Sequence, residues 1–109
     1  YELMANTYTN AKLDLTTTNV TTLYTCPAST VTVIKSILVS EDSGNADTIT
    51  VTVTNGSSVY SLFKVKAVAA NTTIELLTAP LVLQTTEILK VNAASANRLH
   101  VVASLLEVS

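Results

Sequence analysis

The sequence predicts an all-β protein, a single β-sandwich of about eight strands, from three observations. In the segment DTITVTVTN at residues 47–55, isoleucine and valine alternate strictly with threonine, which gives a strand one apolar and one polar face. Threonine and valine are abundant throughout the chain, and both are β-branched residues that suit a pleated surface. Turn residues separate short apolar runs at regular spacing, which is typical of sandwiches and barrels.

Composition excludes several classes of partner. The chain has 109 residues, the length of one domain, and carries 13% charged residues with a formal net charge of −2. It has no cluster of lysine and arginine, so we expect no nucleic-acid partner. Its apolar runs are far shorter than the ~20 residues that a membrane-spanning helix requires, so we expect no membrane partner.

The chain divides into an N-terminal extension or arm at residues 1–11 and a β-sandwich domain at residues 12–109. Met4-Ala5 resembles a translation start, and the beginning of the chain lacks the basic residues and apolar run of a signal peptide. We therefore expect a protein that is made and used in a cytoplasm, with an arm that can reach a neighbouring molecule.

Strands follow one another along the rest of the chain. Residues 12–15 and 20–25 precede Pro27, and further short strands are predicted at residues 72–77, 81–83 and 87–92. Residues 30–40 and 98–108 are apolar in both phases. Such a strand is covered on both faces or carries a β-bulge that changes its phase midway.

Residues 47–66 form the clearest element, a β-hairpin. The turn Asn55-Gly56-Ser57-Ser58 joins two alternating segments, and Gly56 can adopt a positive φ without steric cost. The alanine-rich residues 65–70 and 93–96 are too short to form helices alone, so we expect loops or strand ends there.

No set of residues predicts catalysis or a cofactor. Cys26 and His100 could in principle form a nucleophile and a base, but nothing in the sequence supplies the group that orients the base. We expect Cys26 to be a small buried apolar group and His100 an exposed or interface residue in mid-strand. The chain is therefore expected not to be an enzyme.

Two sets of residues have the composition of a binding site. Glu41, Asp42 and Asp47 surround Gly44 and could bind calcium, but they lack the spacing of the familiar calcium loop, so a solvated loop is favoured and no metal is expected. Five aromatic residues could form a carbohydrate platform, although core and interface packing is favoured for them. They are Tyr1, Tyr8, Tyr24, Tyr60 and Phe63.

The strands that are apolar in both phases indicate surface reserved for partners. A monomer of this size does not need two of them, whereas a subunit that covers its outer face with a neighbour does. The candidate interface residues are Ile34, Leu38, Val102 and Leu106 on the outward phase, together with Tyr8 in the N-terminal segment.

Several segments, in the same order, resemble a group of small tailed-bacteriophage virion proteins. They are TTLYTCP at residues 21–27, VIKSI at 33–37, VAANTTI at 68–74, APLVL at 79–83, EILKVNA at 87–93 and LEV at 106–108. The resemblance covers nearly the whole chain from Met4, and its motifs mark turns and core strands. It implies a jelly-roll-like β-sandwich in a shell or tail component of a virion assembled in the host cytoplasm.

Within that class we expect a capsid decoration (cement) protein that stabilises the head by binding across capsomers. Its partners would be copies of itself, with a trimer as one form, and the major capsid protein or other virion proteins. A neck, tail or fibre-attachment component is the first alternative. A carbohydrate-binding adhesion module is the second.

Overall fold

Two antiparallel sheets pack face to face in the computed structural model, which describes residues 6–109. The described residues form nine strands and no helix. The all-β sandwich is therefore confirmed, with one strand more than the expected eight. The strands are β1 (Asn6–Asp14), β2 (Thr21–Thr25), β3 (Val31–Glu41), β4 (Asp47–Asn55), β5 (Ser58–Val68), β6 (Thr73–Glu75), β7 (Leu81–Leu83), β8 (Ile88–Ala93) and β9 (Leu99–Val108).

The strands are connected in jelly-roll order. One sheet has the order β1-β9-β3-β6, with β7 also paired to β3, and the other has the order β2-β8-β4-β5. The pairing is nested: β1 pairs with β9, β2 with β8, β3 with β6 and β7, and β4 with β5. Because β6 and β7 share one position beside β3, an interruption at residues 76–80 accounts for the ninth strand.

The β4–β5 hairpin has the predicted position and turn. Asn55 pairs with Ser58 across two turn residues, and Gly56 adopts a φ of 60°. The alternation in β4 places Ile49 and Val51 in the core, where both side chains are 0% exposed. Residues 65–70 and 93–96 form strand ends and loops, as expected.

A β-bulge in β3 explains why this strand is apolar in two phases. Ile34 and Ser36 face consecutive residues of β9, so Lys35 is an extra residue in β3. Ile34 is buried before the bulge, whereas Ile37 and Val39 are buried after it. Of the two explanations that the sequence left open, the bulge is therefore correct for β3.

The expected outward position of Ile34 is wrong. Its side chain is 0% exposed and belongs to the core between the sheets. The physical reason is the extra residue, which puts Ile34 and Leu38 on opposite faces although they are four residues apart. Leu38 lies after the bulge, faces outward and is 39% exposed.

β1 begins before the expected domain boundary. It pairs with β9 residue for residue from Asn6 to Asp14, so residues 6–11 of the expected arm lie in the five-stranded sheet. These residues lack an apolar alternation because their side chains are mostly exposed. Backbone pairing with β9 places them, with Ala11 packed against the core, and the rest of the expected arm, residues 1–5, lies outside the described residues.

β5 is an irregular strand at the other end of the molecule. Its register against β4 shifts twice, at Leu62 and at Lys64–Val65. Val65 has a φ of 54°, a left-handed conformation that is rare for a β-branched residue, and its N–H donates to Thr50 Oγ1 at 3.0 Å.

Replacing Val65 with glycine is expected to stabilise the protein by about 1 kcal/mol, because glycine adopts positive φ without the steric cost that valine has. Urea unfolding measures the change. Val59→Gly is the matched control, since Val59 is also exposed in β5 but has no positive φ, and this change should destabilise the protein. Equal destabilisation by both changes would contradict the prediction.

Candidate interaction surface

Cys26 lies in the core of the sandwich, whereas His100 lies on its surface. Cys26 is 1% exposed, and its Sγ lies 3.2 Å from the carbonyl oxygen of Thr30. His100 faces outward from β9, with ring nitrogens 3.3 Å from a carboxylate oxygen of Asp14 and 3.7 Å from one of Asp42. Because His100 points away from the core that contains Cys26, the two residues do not form a base and nucleophile pair.

Tyr24 links the two sheets through a partly buried polar cluster. Its hydroxyl lies 2.8 Å from Thr32 Oγ1 and donates a hydrogen bond to Glu107 Oε2. Tyr24 belongs to β2 in one sheet, whereas Thr32 and Glu107 belong to the other sheet. Burial, followed by the hydrogen bond to Glu107, raises the pKa of Tyr24 to about 12. The phenol therefore stays protonated at neutral pH and acts as a structural hydrogen-bond donor.

Glu41 is the centre of a second polar network. Its carboxylate accepts hydrogen bonds from the N–H and O–H of Ser43, from the N–H of Gly44 at 3.0 Å and from the N–H of Asn71 at 3.2 Å. Burial raises the pKa of Glu41, but these hydrogen bonds outweigh it and hold the pKa at about 2. Glu41 therefore fixes two loops, at residues 42–46 and 69–72, in its ionised form.

The three carboxylates around Gly44 do not converge on one point. Glu41 points into its hydrogen-bond network, Asp42 approaches His100, and Asp47 accepts N–H groups of the backbone at 2.8 Å and 3.2 Å. Among residues 6–109, no group of three or more His, Cys, Asp or Glu could hold a metal ion. The calcium interpretation therefore has no geometric support.

The tyrosines of the described chain lie on separate surfaces. Tyr8 is 74% exposed on β1, Tyr60 is 58% exposed on β5, and Tyr24 is engaged in its polar cluster. Phe63 packs against the core. A carbohydrate platform needs neighbouring rings on one face, and these four residues do not provide it.

An apolar row crosses the outer face of the five-stranded sheet. Tyr8 of β1 is paired with Leu106 of β9. Leu106 is paired in turn with Val33 of β3, and Val33 with Val82 of β7. Paired residues project from the same face of a sheet, so the four side chains form a continuous row about 14 Å across. We refer to these four residues as the apolar row.

Two ends of the apolar row are well exposed. Tyr8 is 74% exposed and Val82 is 49% exposed, whereas Leu106 and Val33 are half-buried between them. The ammonium group of Lys35, the bulge residue, lies 5.9 Å from the centre of the Tyr8 ring. The cation contributes a favourable interaction with the ring and keeps one edge of the row hydrated.

The structure places the remaining candidate interface residues in different parts of the outer face. Leu38, Val102, Leu106 and Tyr8 all project from the outer face, but Leu38 and Val102 lie beyond a polar strip that separates them from the apolar row. Sequence reasoning missed Val33 and Val82. The detectable signal for Val33 was the bulge, because a change of phase at residue 35 puts Val33 outward together with Leu38.

A second apolar surface lies on the open side of the sandwich. A cleft of about 300 Å³ separates β5 from the connection between β6 and β7. It is lined mainly by apolar side chains, among them Leu62, Phe63, Leu76, Leu77, Pro80 and Leu81. The cleft is shallow and contains no charged side chain, so it offers little to orient a ligand.

Comparison of the sequence with known protein-family models and with curated proteins finds no match to either. The described residues contain no helix that is long and apolar enough to cross a membrane.

Proposed function

We propose that this chain is a non-enzymatic structural protein of a bacteriophage virion, and specifically a capsid decoration protein that binds across capsomers. The observation that carries the proposal is the apolar row, which no other part of the described chain covers. A contiguous apolar strip on an exposed sheet face is a common mark of a protein-binding surface. Burying this strip on a shell would stabilise the shell by mass action.

The surroundings of the apolar row support attachment to a protein. Asn10 and Ser104 form a polar strip on one side of it, and on the other side Val31 and Val108 extend the apolar surface. A contiguous apolar patch that is bounded by a polar strip on one side suits burial against another protein. The low charge of the chain, 13% of its residues, fits a subunit whose surface is largely covered after assembly.

A neck, tail or fibre-attachment component would use the same surface, and copy number distinguishes it from a decoration protein. Quantitative mass spectrometry of purified particles should find this chain at a copy number comparable to that of the major capsid protein. A few copies per particle would instead indicate the neck or tail. Absence from the particle would overturn both virion roles.

Val82→Asp is expected to weaken attachment to particles more than about tenfold, because it places a charge at the exposed end of the apolar row. Co-sedimentation with particles that lack the protein measures the change. Val59→Asp is the matched control, since Val59 is 63% exposed near the tip of the β4–β5 hairpin, away from the row. Equal binding by the two variants would mean that the apolar row is not the attachment surface.

A further inference from the structure

We infer that two copies of this chain associate through their β1 strands, paired antiparallel so that the two five-stranded sheets become one continuous sheet. β1 stands at the end of its sheet, and among the described residues it pairs only with β9. The backbone groups along its other edge are available to a further strand. The association is a property of the chain and does not depend on a virion role.

The ends of the two sheets differ greatly in how well they could pair with another strand. β1 offers nine residues in unbroken register with its neighbour. β2 has only five residues and a shifted register, and β6 and β7 have three residues each. β5 is long but is shifted twice and carries Lys64 and Lys66, which are the devices that protect an edge from pairing. β1 has neither a bulge nor a proline, and Lys12 is its single lysine.

Charge and length select one register for the pair. If residue 10 of one copy lies opposite residue 10 of the other, all nine residues of β1 are paired. Lys12 then faces Tyr8 of the second copy, and Asp14 faces Asn6, so no like charges meet. A parallel pair in register would instead place Lys12 against Lys12 and Asp14 against Asp14.

The same register joins the outer faces of the two sheets. Even-numbered residues of β1 project outward with Leu106 and Val102, and this register pairs even residues with even residues. Both copies therefore present their apolar rows on the same side of a ten-stranded sheet. A register shifted by one residue would place the outer face of one copy beside the core face of the other.

Cysteine cross-linking of the intact chain tests the register. Residues directly opposite in an antiparallel pair have Cα atoms about 4.5–5.5 Å apart, a distance that a disulfide spans. Asn10→Cys should therefore give a covalent dimer under mild oxidation. Tyr8→Cys alone and Lys12→Cys alone should not cross-link, because each residue lies about 13 Å from the same residue of the second copy. A mixture of the two variants should cross-link, because Tyr8 of one copy lies opposite Lys12 of the other. Native Cys26 is 1% exposed and does not compete.

Asn55→Cys is the control, because Asn55 is exposed at the hairpin turn of β4, which belongs to the other sheet. A dimer of Asn55→Cys in the same yield as Asn10→Cys would show random collision and overturn the inference. The inference would also be overturned if Tyr8→Cys alone or Lys12→Cys alone gave as much covalent dimer as the mixture of the two variants.

Light scattering supplies an independent readout that needs no cysteine. The unmodified chain should have the mass of two chains at micromolar concentration. The dissociation constant of the dimer should rise about two- to fivefold in Asn10→Lys and in Asn10→Asp, because like charges then meet at residue 10. Mixing the two variants should restore association, since unlike charges then face each other. Asn55→Lys should associate as the unmodified chain does. A mass of one or three chains, or no effect of Asn10→Lys, would overturn the inference and leave the test of particle attachment unaffected.

Discussion

Deleting Lys35 from β3 is expected to lower the free energy of unfolding by at least about 3 kcal/mol, a large part of the ~5–15 kcal/mol that a domain of this size possesses. Lys35 is the extra residue of the β-bulge. Without it, either Ile34 turns outward or the residues after it do, because side chains alternate strictly along a strand. Ile34 and Ile37 are both 0% exposed, so one apolar side chain must leave the core. Urea unfolding measures the loss.

Lys35→Ala is the control for the deletion. It keeps the extra residue and removes only the ammonium group beside Tyr8, an exposed interaction worth about 0.5–1 kcal/mol. The two variants lack the same side chain and differ in the length of the strand. A deletion variant as stable as Lys35→Ala would mean that β3 reaches the same packing without a bulge.

Glu41→Gln is expected to reduce the acid sensitivity of the fold and to lower its unfolding temperature at neutral pH. Glutamine keeps the shape of the side chain, but its amide group turns a donor toward N–H groups that now donate to a carboxylate. The variant at neutral pH should therefore resemble the original protein in strong acid, where Glu41 is protonated. Thermal unfolding followed by circular dichroism across the pH range measures both effects.

The direction of the pH effect follows from the pKa of Glu41. This pKa is 4.5 for an unperturbed glutamate and about 2 in the folded protein, so the unfolded chain takes up the proton first as pH falls. The stabilising contribution is complete above pH 4.5 and disappears as the pH falls through the folded value. The pKa of Glu75 is lowered in the same direction, because hydrogen bonds from Ser36 and backbone N–H groups outweigh burial.

Glu87→Gln is the control for this substitution. Glu87 accepts one backbone N–H, that of Gln84, at 2.6 Å, whereas Glu41 accepts three N–H groups and one O–H. The Glu87 variant should lose less stability at neutral pH. An acid profile that is unchanged in Glu41→Gln would contradict the role assigned to the network around Glu41.

Much of the fold could be predicted because its signals are local. The alternation at residues 47–55 and the turn at Gly56 predict the hairpin from nearest neighbours alone, and the structure has it there. The burial of Cys26 also follows from its chemistry. In contrast, residues 6–11 carry no apolar alternation, and they form a strand because β9 offers them a partner ninety or more residues away.

The candidate surface was only partly predictable for a related reason. Apolar residues in both phases of β3 indicated either a second covered face or a bulge, and the two possibilities assign Ile34 to opposite sides of the sheet. Leu106 and Tyr8 were identified, yet nothing in the sequence pairs them with Val33 and Val82. The apolar row exists only because register brings four strands together.

The sequence by itself determined the class of the fold, since side-chain alternation and turn chemistry act over a few residues and need no partner strand. It also determined the scarcity of charge and the surplus of apolar positions. The tertiary structure decided where that surplus lies: the bulge at Lys35 sends Ile34 inward and Leu38 outward, and the nested pairing of distant strands aligns the apolar row. Register is a property of two paired strands, so the sequence of one strand does not specify it.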